Sequence, residues 1–261
     1  MAGSGSRFKN AGYKQSKPLI QVHDIPMVLH AINSYPQADK WIFIIRKEHV
    51  NNTQLIDTIK SVYPNTIFLV DDNPVGQLNS LMVAKEYFID AEKIFVGACD
   101  LALVNLHNVS FDTEINPVIF TNQKCLVKNP YSWGWVQIEN DHIIKTSCKK
   151  PISDDPYNDY ALTGCFTFNN GNSLLKLAEY VFNQDMQVNG EYYVDTMIQA
   201  AINLGFQPKF TIVDYYISWG TPNDYEAYNK LYNEWKQGYT IDNTEIEKLK
   251  VYWYTMESKW N

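Results

Sequence analysis

Three apolar runs alternate with helix-like segments over the first hundred residues, and this alternation constrains the fold more than any other feature. The runs are Trp41–Ile45 (WIFII), Ile67–Val70 (IFLV) and Ile94–Gly97 (IFVG), and the helix-like segments are Ile25–Asn33, Thr53–Val62 and Asn79–Phe88. Continuous apolar runs are typical of strands covered on both faces. The alternation therefore predicts βαβ units, and Thr53 is a candidate cap for its helix.

The second half of the chain has a different pattern. Trp133–Ile138 and His142–Ser147 predict a hairpin, because turn-prone residues separate them. The other expected elements are strands over Ala161–Phe168 and Lys209–Val213 and helices over Ser173–Phe182, Val194–Leu204, Pro222–Trp235 and Thr244–Lys259. We expect one α/β domain of 261 residues, with a mixed, mostly parallel sheet flanked by helices and two halves that meet near residue 115.

Charge and composition argue against several classes of protein. The 29 acidic and 22 basic residues give a net charge of −7, and the basic residues are scattered, so nucleic acid is not an expected partner. No apolar run approaches the roughly 20 residues that span a bilayer, and we expect a cytoplasmic protein with no membrane partner. Cys99, Cys125, Cys148 and Cys165 lack the spacing of a zinc site, and we expect reduced core residues.

The opening Gly3-Ser4-Gly5-Ser6-Arg7 is a candidate phosphate-binding loop. Glycines let backbone N–H groups approach phosphate oxygens closely. The loop lacks the third glycine of the Rossmann pattern and the Gly-Lys of the Walker pattern, so by itself it fits a flexible polar terminus as well. Arg7 and Lys17 add two fixed cations and favour a polyphosphate ligand.

Asp100 closely follows the third apolar run and is a candidate ligand for Mg²⁺. Open α/β folds bind ligands at the carboxyl ends of their parallel strands, and carboxylates suit Mg²⁺. Gly97 and Ala98 are expected to leave room beside this side chain. Asp71 and Asp72 also follow an apolar run, but the turn residues after them favour a turn-forming role.

Several short motifs, in order and at consistent spacing, resemble those of the sugar-phosphate nucleotidylyltransferases. That family opens with Gly-x-Gly-(Ser/Thr)-Arg-(Leu/Phe), then Pro-Lys-Pro-Leu and Val-x-x-x-Pro-Met. This chain has GSGSRF and then SKPLIQVHDIPM, with Ser16 in place of the first proline. Further matches are Pro74–Gln77, Gly97–Asp100, Trp133–Gly134, Lys149–Pro151, Thr163–Gly164, Gly190–Tyr192 and Trp219–Pro222. The resemblance implies a Rossmann-like nucleotidyltransferase fold, similar to GT-A.

The resemblance also implies a role for each matching residue. Arg7 and Lys17 would be catalytic, and Asp100 would bind Mg²⁺. The residues implied to bind the nucleotide are Ala2, Gly3, Ser4, Gly5, Ser6, Gly76 and Gln77. Those implied to bind the acceptor are Gly134, Lys150, Thr163, Gly164, Glu191 and Asp195. Residues 1–115 would then form the nucleotide-binding half, 116–240 the acceptor-binding half and 241–261 a C-terminal helix.

Two departures from the family pattern affect this transfer of roles. Family members often carry an aspartate as a second metal ligand where this chain has Ser218. Either Asp100, the nucleotide phosphates and water complete the site, or another carboxylate such as Asp195 or Asp214 reaches it. Lys149 stands where many relatives have glutamate, which removes an acceptor for sugar hydroxyls.

The implied reaction transfers a nucleoside monophosphate from a nucleoside triphosphate, by preference CTP or UTP, to a phosphorylated small molecule. A sugar 1-phosphate is the first expectation, for surface polysaccharide synthesis, and phosphocholine is an alternative. Two other classes stay open: a GT-A-like glycosyltransferase, against which the single aspartate of Asp100-Leu101-Ala102 argues, and a non-catalytic nucleotide-binding relative. The aromatic C-terminal helix fits either a cover over the core or a homo-oligomer contact.

The position of the glycine loop raises one further expectation. A phosphate loop of this type normally follows a buried central strand, but only Met1 and Ala2 precede Gly3. We expect residues upstream of Met1 to supply that strand, because a loop that positions a substrate needs rigid support.

Overall fold

The structure is a computed structural model that describes residues 1, 3–106, 109–121, 129–239 and 244–260. In the last range it describes the side chains of residues 247–258. Ala2 and Cys125 lie outside the described residues.

The helices of the described ranges include one in each of the seven segments where the sequence predicts a helix. They are α1 (Ser6–Asn10), α2 (Met27–Asn33), α3 (Lys47–Asn51), α4 (Gln54–Val62), α5 (Gln77–Met82), α6 (Gly171–Asn183), α7 (Thr196–Asn203), α8 (Pro222–Lys236) and α9 (Thr244–Trp260). The strands are β1 (Gln21–Val22), β2 (Ile25–Pro26), β3 (Trp41–Arg46), β4 (Thr66–Asp71), β5 (Ile94–Val96), β6 (Leu101–Val104), β7 (Asn116–Thr121), β8 (Gly134–Glu139), β9 (His142–Cys148), β10 (Tyr160–Phe168), β11 (Thr211–Ile212) and β12 (Tyr215–Ser218).

The predicted α/β fold with a mixed sheet flanked by helices is confirmed. The largest described sheet has the order β11-β7-β10-β8-β9, and β5 also pairs with β10. The pairs β3–β4 and β11–β7 are parallel, but β10 runs antiparallel to β5, β7 and β8, so the described sheets are less parallel than predicted. The β8–β9 hairpin turns at Asn140 and Asp141, both with positive φ, and such a tight turn can join only antiparallel strands.

The sequence pattern missed some short elements and misplaced some boundaries. It missed β1, β2, β6, β7 and β12, of which β1 and β2 have two residues each and β6 and β12 have four. α2 begins at Met27 instead of Ile25, since Ile25–Pro26 pairs with Gln21–Val22 in a small hairpin. Thr53 stands at the start of α4, but its hydroxyl donates to Asp57 Oδ2 at 2.7 Å and does not cap the helix backbone.

Strands β3 and β5 each have an edge with no strand partner in the described ranges. β3 pairs with β4, and β5 pairs with β10. Ile44 of β3 and Val96 of β5 are half-buried and pack against the same apolar cluster, which α6 and α7 cover with Leu174, Leu177 and Met197. The two edges therefore adjoin one core.

Helix α9 packs on a second apolar cluster. Tyr252, Trp253 and Met256 of α9 are buried there with Trp219 and Tyr228, and the indole N–H of Trp253 donates to the Tyr228 hydroxyl at 3.0 Å. The described aromatic side chains of this helix thus cover a core, except for Tyr254, which is exposed.

None of the described helices has the length and apolar character needed to cross a membrane.

The cysteines that the structure describes are free thiols. Cys165 is buried, and Cys99 and Cys148 are half-buried. Burial raises the pKa of the Cys165 thiol to about 12, so it stays protonated at neutral pH.

His30 is expected to make the stability of this fold depend on pH. It is fully buried between Val22 O, to which its Nε2–H donates at 2.7 Å, and the Tyr252 hydroxyl, which donates to Nδ1 at 3.1 Å. Burial lowers the pKa of His30 to about 4. In the unfolded chain the pKa of a histidine is near 6.5. Between pH 4 and pH 6.5 the unfolded chain therefore binds a proton at His30 and the folded chain does not.

Above about pH 7 the protonation of His30 should not lower the free energy of unfolding. Below about pH 6.5 the free energy of unfolding should fall as the pH drops. The loss between pH 7 and pH 5 should be about 2 kcal/mol for this residue. Urea unfolding at both pH values measures it, and His30→Gln should show that much less pH dependence than the parent. His142→Gln, in the β8–β9 hairpin, is the matched control, and an equal pH dependence of His30→Gln and the parent would contradict the prediction.

Candidate active site

The glycine loop leads directly into α1. Gly5 has a φ of 62°, a left-handed conformation that favours glycine, and its carbonyl accepts the backbone N–H of Phe8 and of Lys9 at 3.1 Å. The buried ring of Phe8 holds α1 against Tyr13, with 5.1 Å between ring centroids. Phe8 is thus a core anchor, and its neighbour Arg7 is left exposed on the short helix.

Lys17 is held opposite this loop by a 3₁₀ turn that contains Pro18. Its ammonium donates to Asp100 Oδ2 at 2.5 Å and to the Gly220 carbonyl at 2.8 Å. A cavity of about 260 Å³ joins these parts, and its lining includes Gly3, Gly5, Ser6, Arg7, Lys17 and Gly220. The fold therefore brings the predicted phosphate loop and both predicted cations to one place.

Asp100 lies between β5 and β6, and its carbonyl accepts the backbone N–H of Trp219 at 2.8 Å. Burial alone would raise the pKa of this carboxyl, but the Lys17 ammonium holds that pKa below its usual range by its charge and its hydrogen bond. The expected room at Gly97 is filled instead, since a Cβ there would lie 2.7 Å from the Tyr35 ring. The Tyr35 hydroxyl donates to the Ala98 carbonyl at 2.5 Å and so fixes the backbone that leads to Asp100.

The residues around Asp100 fit a divalent cation. The Lys17 ammonium already places a positive charge between a carboxylate and a backbone carbonyl. Oxygen atoms are the ligands that Mg²⁺ prefers, and it is commonly bound by one or two carboxylates together with substrate phosphates. Within the described residues, no three His, Cys, Asp or Glu side chains group closely enough to hold a metal ion by themselves.

Neither alternative carboxylate lies beside Ser218. Ser218 pairs with Leu101, next to Asp100, whereas Asp214 lies at the other end of the β6–β12 ladder, where its backbone N–H donates to Val104 O. The paired strand from Tyr215 to Ser218 is about 10 Å long, and Asp214 lies one residue beyond its far end. Asp214 accepts a hydrogen bond from Asn105 at 3.0 Å and pairs with Lys248 at 3.5 Å. Asp195 instead packs against the β8–β9 hairpin.

Gly76 and Gln77 begin α5, next to the other half of the chain. Gly76 has a φ of 149°, and a Cβ there would lie 3.1 Å from the backbone of Tyr192. The backbone N–H of Leu78 donates to the Tyr192 carbonyl at 3.0 Å. The predicted base-binding loop thus touches the segment that carries Glu191.

Asp71 forms the expected turn, because its carboxylate accepts the Asn73 N–H at 3.0 Å and the Ser80 hydroxyl at 2.6 Å.

A second group of polar residues surrounds Gly134. A Cβ on Gly134 would clash with Asp195 Oδ2, and the Cys148 thiol donates to the same oxygen at 3.7 Å. Burial raises the pKa of the Asp195 carboxyl, although the nearby Lys149 ammonium opposes this. Lys149 donates to the Ser132 carbonyl at 2.5 Å and lies 5.5 Å from the centroid of the Tyr193 ring. The sequence analysis assigned Cys148 to the core and did not name Tyr193, because no motif contains either residue.

The other predicted acceptor residues differ in accessibility. Thr163 is buried, and its hydroxyl donates to the Val118 carbonyl at 2.9 Å inside a bulge of β10. Gly164 has a φ of 84° in the same bulge, with open space where a Cβ would project. Lys150 and Glu191 are exposed. Burial raises the pKa of the Tyr193 hydroxyl to about 12, and a hydrogen bond to Glu191 adds to this.

Gly134→Ala is expected to lower the free energy of unfolding by about 1–3 kcal/mol, the usual cost of overpacking. The new methyl group would meet Asp195 Oδ2 and would lie 2.7 Å from Leu162 Cδ1. Adding Asp195→Ala should recover part of this loss, because it removes the clashing oxygen. Urea unfolding of the two single variants and the double variant measures the coupling. Strictly additive losses would show that the two residues do not make this contact in solution.

Comparison with known proteins defines the class to which this chain belongs. The family model described as Nucleotidyl transferase matches residues 1–225, and the chain is a member of that family. It is 25% identical over 219 residues to the bifunctional protein GlmU of Campylobacter fetus, a match that covers 82% of this chain and 47% of GlmU. The chain therefore spans about half the length of that relative.

Solved structures share the fold. The nucleoside-diphosphate-sugar pyrophosphorylase of Vibrio cholerae superimposes with a TM-score of 0.69 at 24% identity, over 88% of this chain and 98% of that one. The inositol-1-phosphate CTP transferase of T. maritima gives a TM-score of 0.68 at 14% identity, over 92% of this chain and 95% of that one. At these identities the likeness establishes a common fold.

Proposed function

We propose that the chain transfers a nucleotidyl group from a nucleoside triphosphate to a phosphorylated small molecule and releases pyrophosphate. The observation that carries this proposal is the cavity where the glycine loop, the exposed Arg7 and the Lys17–Asp100 pair meet. A loop of backbone donors, two cations and one carboxylate suit a triphosphate that carries a divalent cation. Membership of the nucleotidyl transferase family supports the same reaction.

In the proposed reaction a phosphate oxygen of the acceptor attacks the α-phosphorus in line. A bond forms between them while the bond from the α-phosphorus to the bridging oxygen breaks, and pyrophosphate leaves with that electron pair. A phosphate monoester is already anionic near neutral pH, so the step needs no protein nucleophile. The protein contributes by positioning two anions that repel each other and by neutralising their charge.

We assign the triphosphate to residues 2–6, with Arg7 and Lys17 on its phosphates and Gly76 and Gln77 against the base. Asp100 would hold Mg²⁺, which when bound supplies charge neutralisation at the phosphates. Lys17 would move its hydrogen bonds from Asp100 toward the phosphates as these enter. Residues 1–115 then form the nucleotide half.

The acceptor is assigned to the second half, residues 116–240, and residues 241–261 form the C-terminal segment that contains α9. Gly134, Gly164, Glu191 and Asp195 would line its pocket, with Lys150 on its phosphate. Thr163 acts through the bulge that presents Gly164, because its own hydroxyl is buried. Lys149 packs over Tyr193 in this pocket and leaves fewer acceptors for sugar hydroxyls than a glutamate would.

We propose a pyrimidine triphosphate, CTP or UTP, and a sugar 1-phosphate acceptor for surface polysaccharide synthesis, with phosphocholine as the alternative. The names of the two structural relatives, one a nucleoside-diphosphate-sugar pyrophosphorylase and the other an inositol-1-phosphate CTP transferase, support a sugar phosphate or an inositol phosphate as the acceptor. A glycosyltransferase is disfavoured, because Leu101 and Ala102 after Asp100 are buried in β6 and provide no second carboxylate.

The test is pyrophosphate release by the purified chain with five triphosphates against glucose 1-phosphate, inositol 1-phosphate and phosphocholine. The proposal expects release that needs both substrates and a divalent cation and that stops with EDTA. Sugar transfer from a nucleotide sugar would instead identify a glycosyltransferase. Nucleotide binding without release for any pair would identify a non-catalytic relative.

A further inference from the structure

Asp224 lies beside Asp100 and Ser218, although no sequence motif pointed to it. A Cβ built on Gly220 would lie 3.3 Å from Ser218 Oγ, 3.8 Å from Asp224 Oδ2 and 3.9 Å from Asp100 Oδ2. Three side-chain oxygens from different parts of the chain therefore surround one point next to the Gly220 backbone. Gly220 has no side chain to fill that point.

A positive charge already lies at this group of oxygens. The Lys17 ammonium donates to Asp100 Oδ2 and to the Gly220 carbonyl, at 2.5 and 2.8 Å. It also acts on Asp224, since burial raises the pKa of that carboxyl and the Lys17 charge opposes the rise. The position therefore suits a cation, and Lys17 fills this role in the structure.

Asp224 has a capping role as well, which leaves part of its carboxylate available. It is the third residue of α8, where its Oδ2 accepts the Thr221 N–H at 3.1 Å and its own N–H donates to Thr221 Oγ1 at 3.2 Å. The Ser218 hydroxyl approaches the same oxygen at 3.5 Å. An ionised carboxylate offers about four acceptor positions, so these contacts do not use all of them.

We propose that Asp224 is a positioning residue for the cation that Asp100 binds, and that with Ser218 it takes the place of the aspartate that family members often carry where this chain has Ser218. This inference rests on the proposed function. Mg²⁺ usually keeps several water ligands, and a carboxylate nearby can accept hydrogen bonds from them and balance the charge. The chain thus supplies its second carboxylate from the start of α8, six residues after Ser218.

Mn²⁺ binding to the full chain tests this inference without relying on turnover. Mn²⁺ is titrated alone and with a non-hydrolysable α,β-methylene CTP, and free Mn²⁺ is measured by electron paramagnetic resonance. Asp224→Asn should weaken Mn²⁺ binding by about 10–100-fold, the usual effect of losing such a partner. The amide oxygen of asparagine can still accept the Thr221 N–H, so the melting temperature should change little.

A rescue and a control separate this role from helix capping. Ser218→Asp in the Asp224→Asn background should restore Mn²⁺ affinity, because it returns a carboxylate beside Asp100. Asp214→Asn, at the far end of the β6–β12 ladder, should leave Mn²⁺ binding unchanged.

Equal Mn²⁺ affinity of Asp224→Asn and the parent in both titrations would overturn the inference, even if the variant were less active. Loss of affinity without rescue by Ser218→Asp would also count against it. If the parent binds Mn²⁺ in a manner that depends on Asp224 but does not bind the CTP analogue or release pyrophosphate, the inference holds and the proposed function fails.

Discussion

Arg7→Ala should lower turnover by a factor of about 10²–10³ and leave stability nearly unchanged. This is the scale of loss when one preorganised charge that stabilises a transition state is removed. The Arg7 side chain is exposed on a five-residue helix that faces the cavity, and the burial of Phe8 holds that helix in place without it. Steady-state pyrophosphate release and a thermal melt measure the two quantities.

Lys9→Ala is the matched control for Arg7. Lys9 lies on the same helix and is also exposed, but its ammonium is 3.7 Å from Glu48 and it is absent from the lining of the cavity. Its removal should change turnover less than about threefold, because an exposed ion pair contributes little. Pyrophosphate release that stays unchanged in a folded Arg7→Ala variant would refute the role assigned to that residue.

Lys17→Ala should reduce turnover by a similar factor of about 10²–10³ and should also destabilise the fold. Unlike Arg7, Lys17 is mostly buried and pairs with the partly buried Asp100. Its loss leaves a buried carboxylate without its partner, which costs about 1–3 kcal/mol. Arg7→Ala should therefore reduce turnover alone, whereas Lys17→Ala should reduce both turnover and the free energy of unfolding.

The stability loss of Lys17→Ala should be larger at pH 7 than at pH 4. In the parent the lowered pKa of Asp100 means that its stabilising contribution is present above the unfolded pKa and is lost as the pH falls through the folded value. Without Lys17, burial raises that pKa, so protonation at low pH relieves the unpaired charge. Urea unfolding at both pH values measures the difference.

Asp100→Asn in the Lys17→Ala background gives the control. It removes the unpaired charge and should recover much of the stability at pH 7 while turnover stays low. A loss in Lys17→Ala that is the same at both pH values and is not relieved by Asp100→Asn would show that the ion pair does not stabilise the fold.

Sequence reasoning picked out those parts of the candidate site that one short segment contains. The loop over Gly3–Gly5 and the cation Arg7 belong to a contiguous motif, and Asp100 follows a recognisable apolar run. The pattern also predicted the helix at Thr221–Pro222, where the structure has a capping box with Asp224. The pattern did not show that Asp224 also lies near Asp100, because 124 positions of the chain separate these two residues.

The same limit explains the errors. Gly97 was expected to leave space, but space beside a glycine depends on what packs there, and the Tyr35 ring comes from a distant turn. Asp195 and Asp214 were considered as metal ligands in place of the aspartate that Ser218 replaces. Only strand register shows that Asp214 lies at the wrong end of the β6–β12 ladder.

The sequence by itself determined the α/β class and the family, and it picked out the glycine loop with Arg7 and Lys17 as a candidate site, because periodicity and motifs act over a few neighbouring residues. The tertiary structure decided that Lys17 pairs with Asp100, that Asp195 packs against Gly134 and that Asp224 joins Ser218 beside Gly220. Each of these contacts joins segments far apart in the chain. Such contacts depend on strand register and helix packing, which local periodicity and short motifs do not specify.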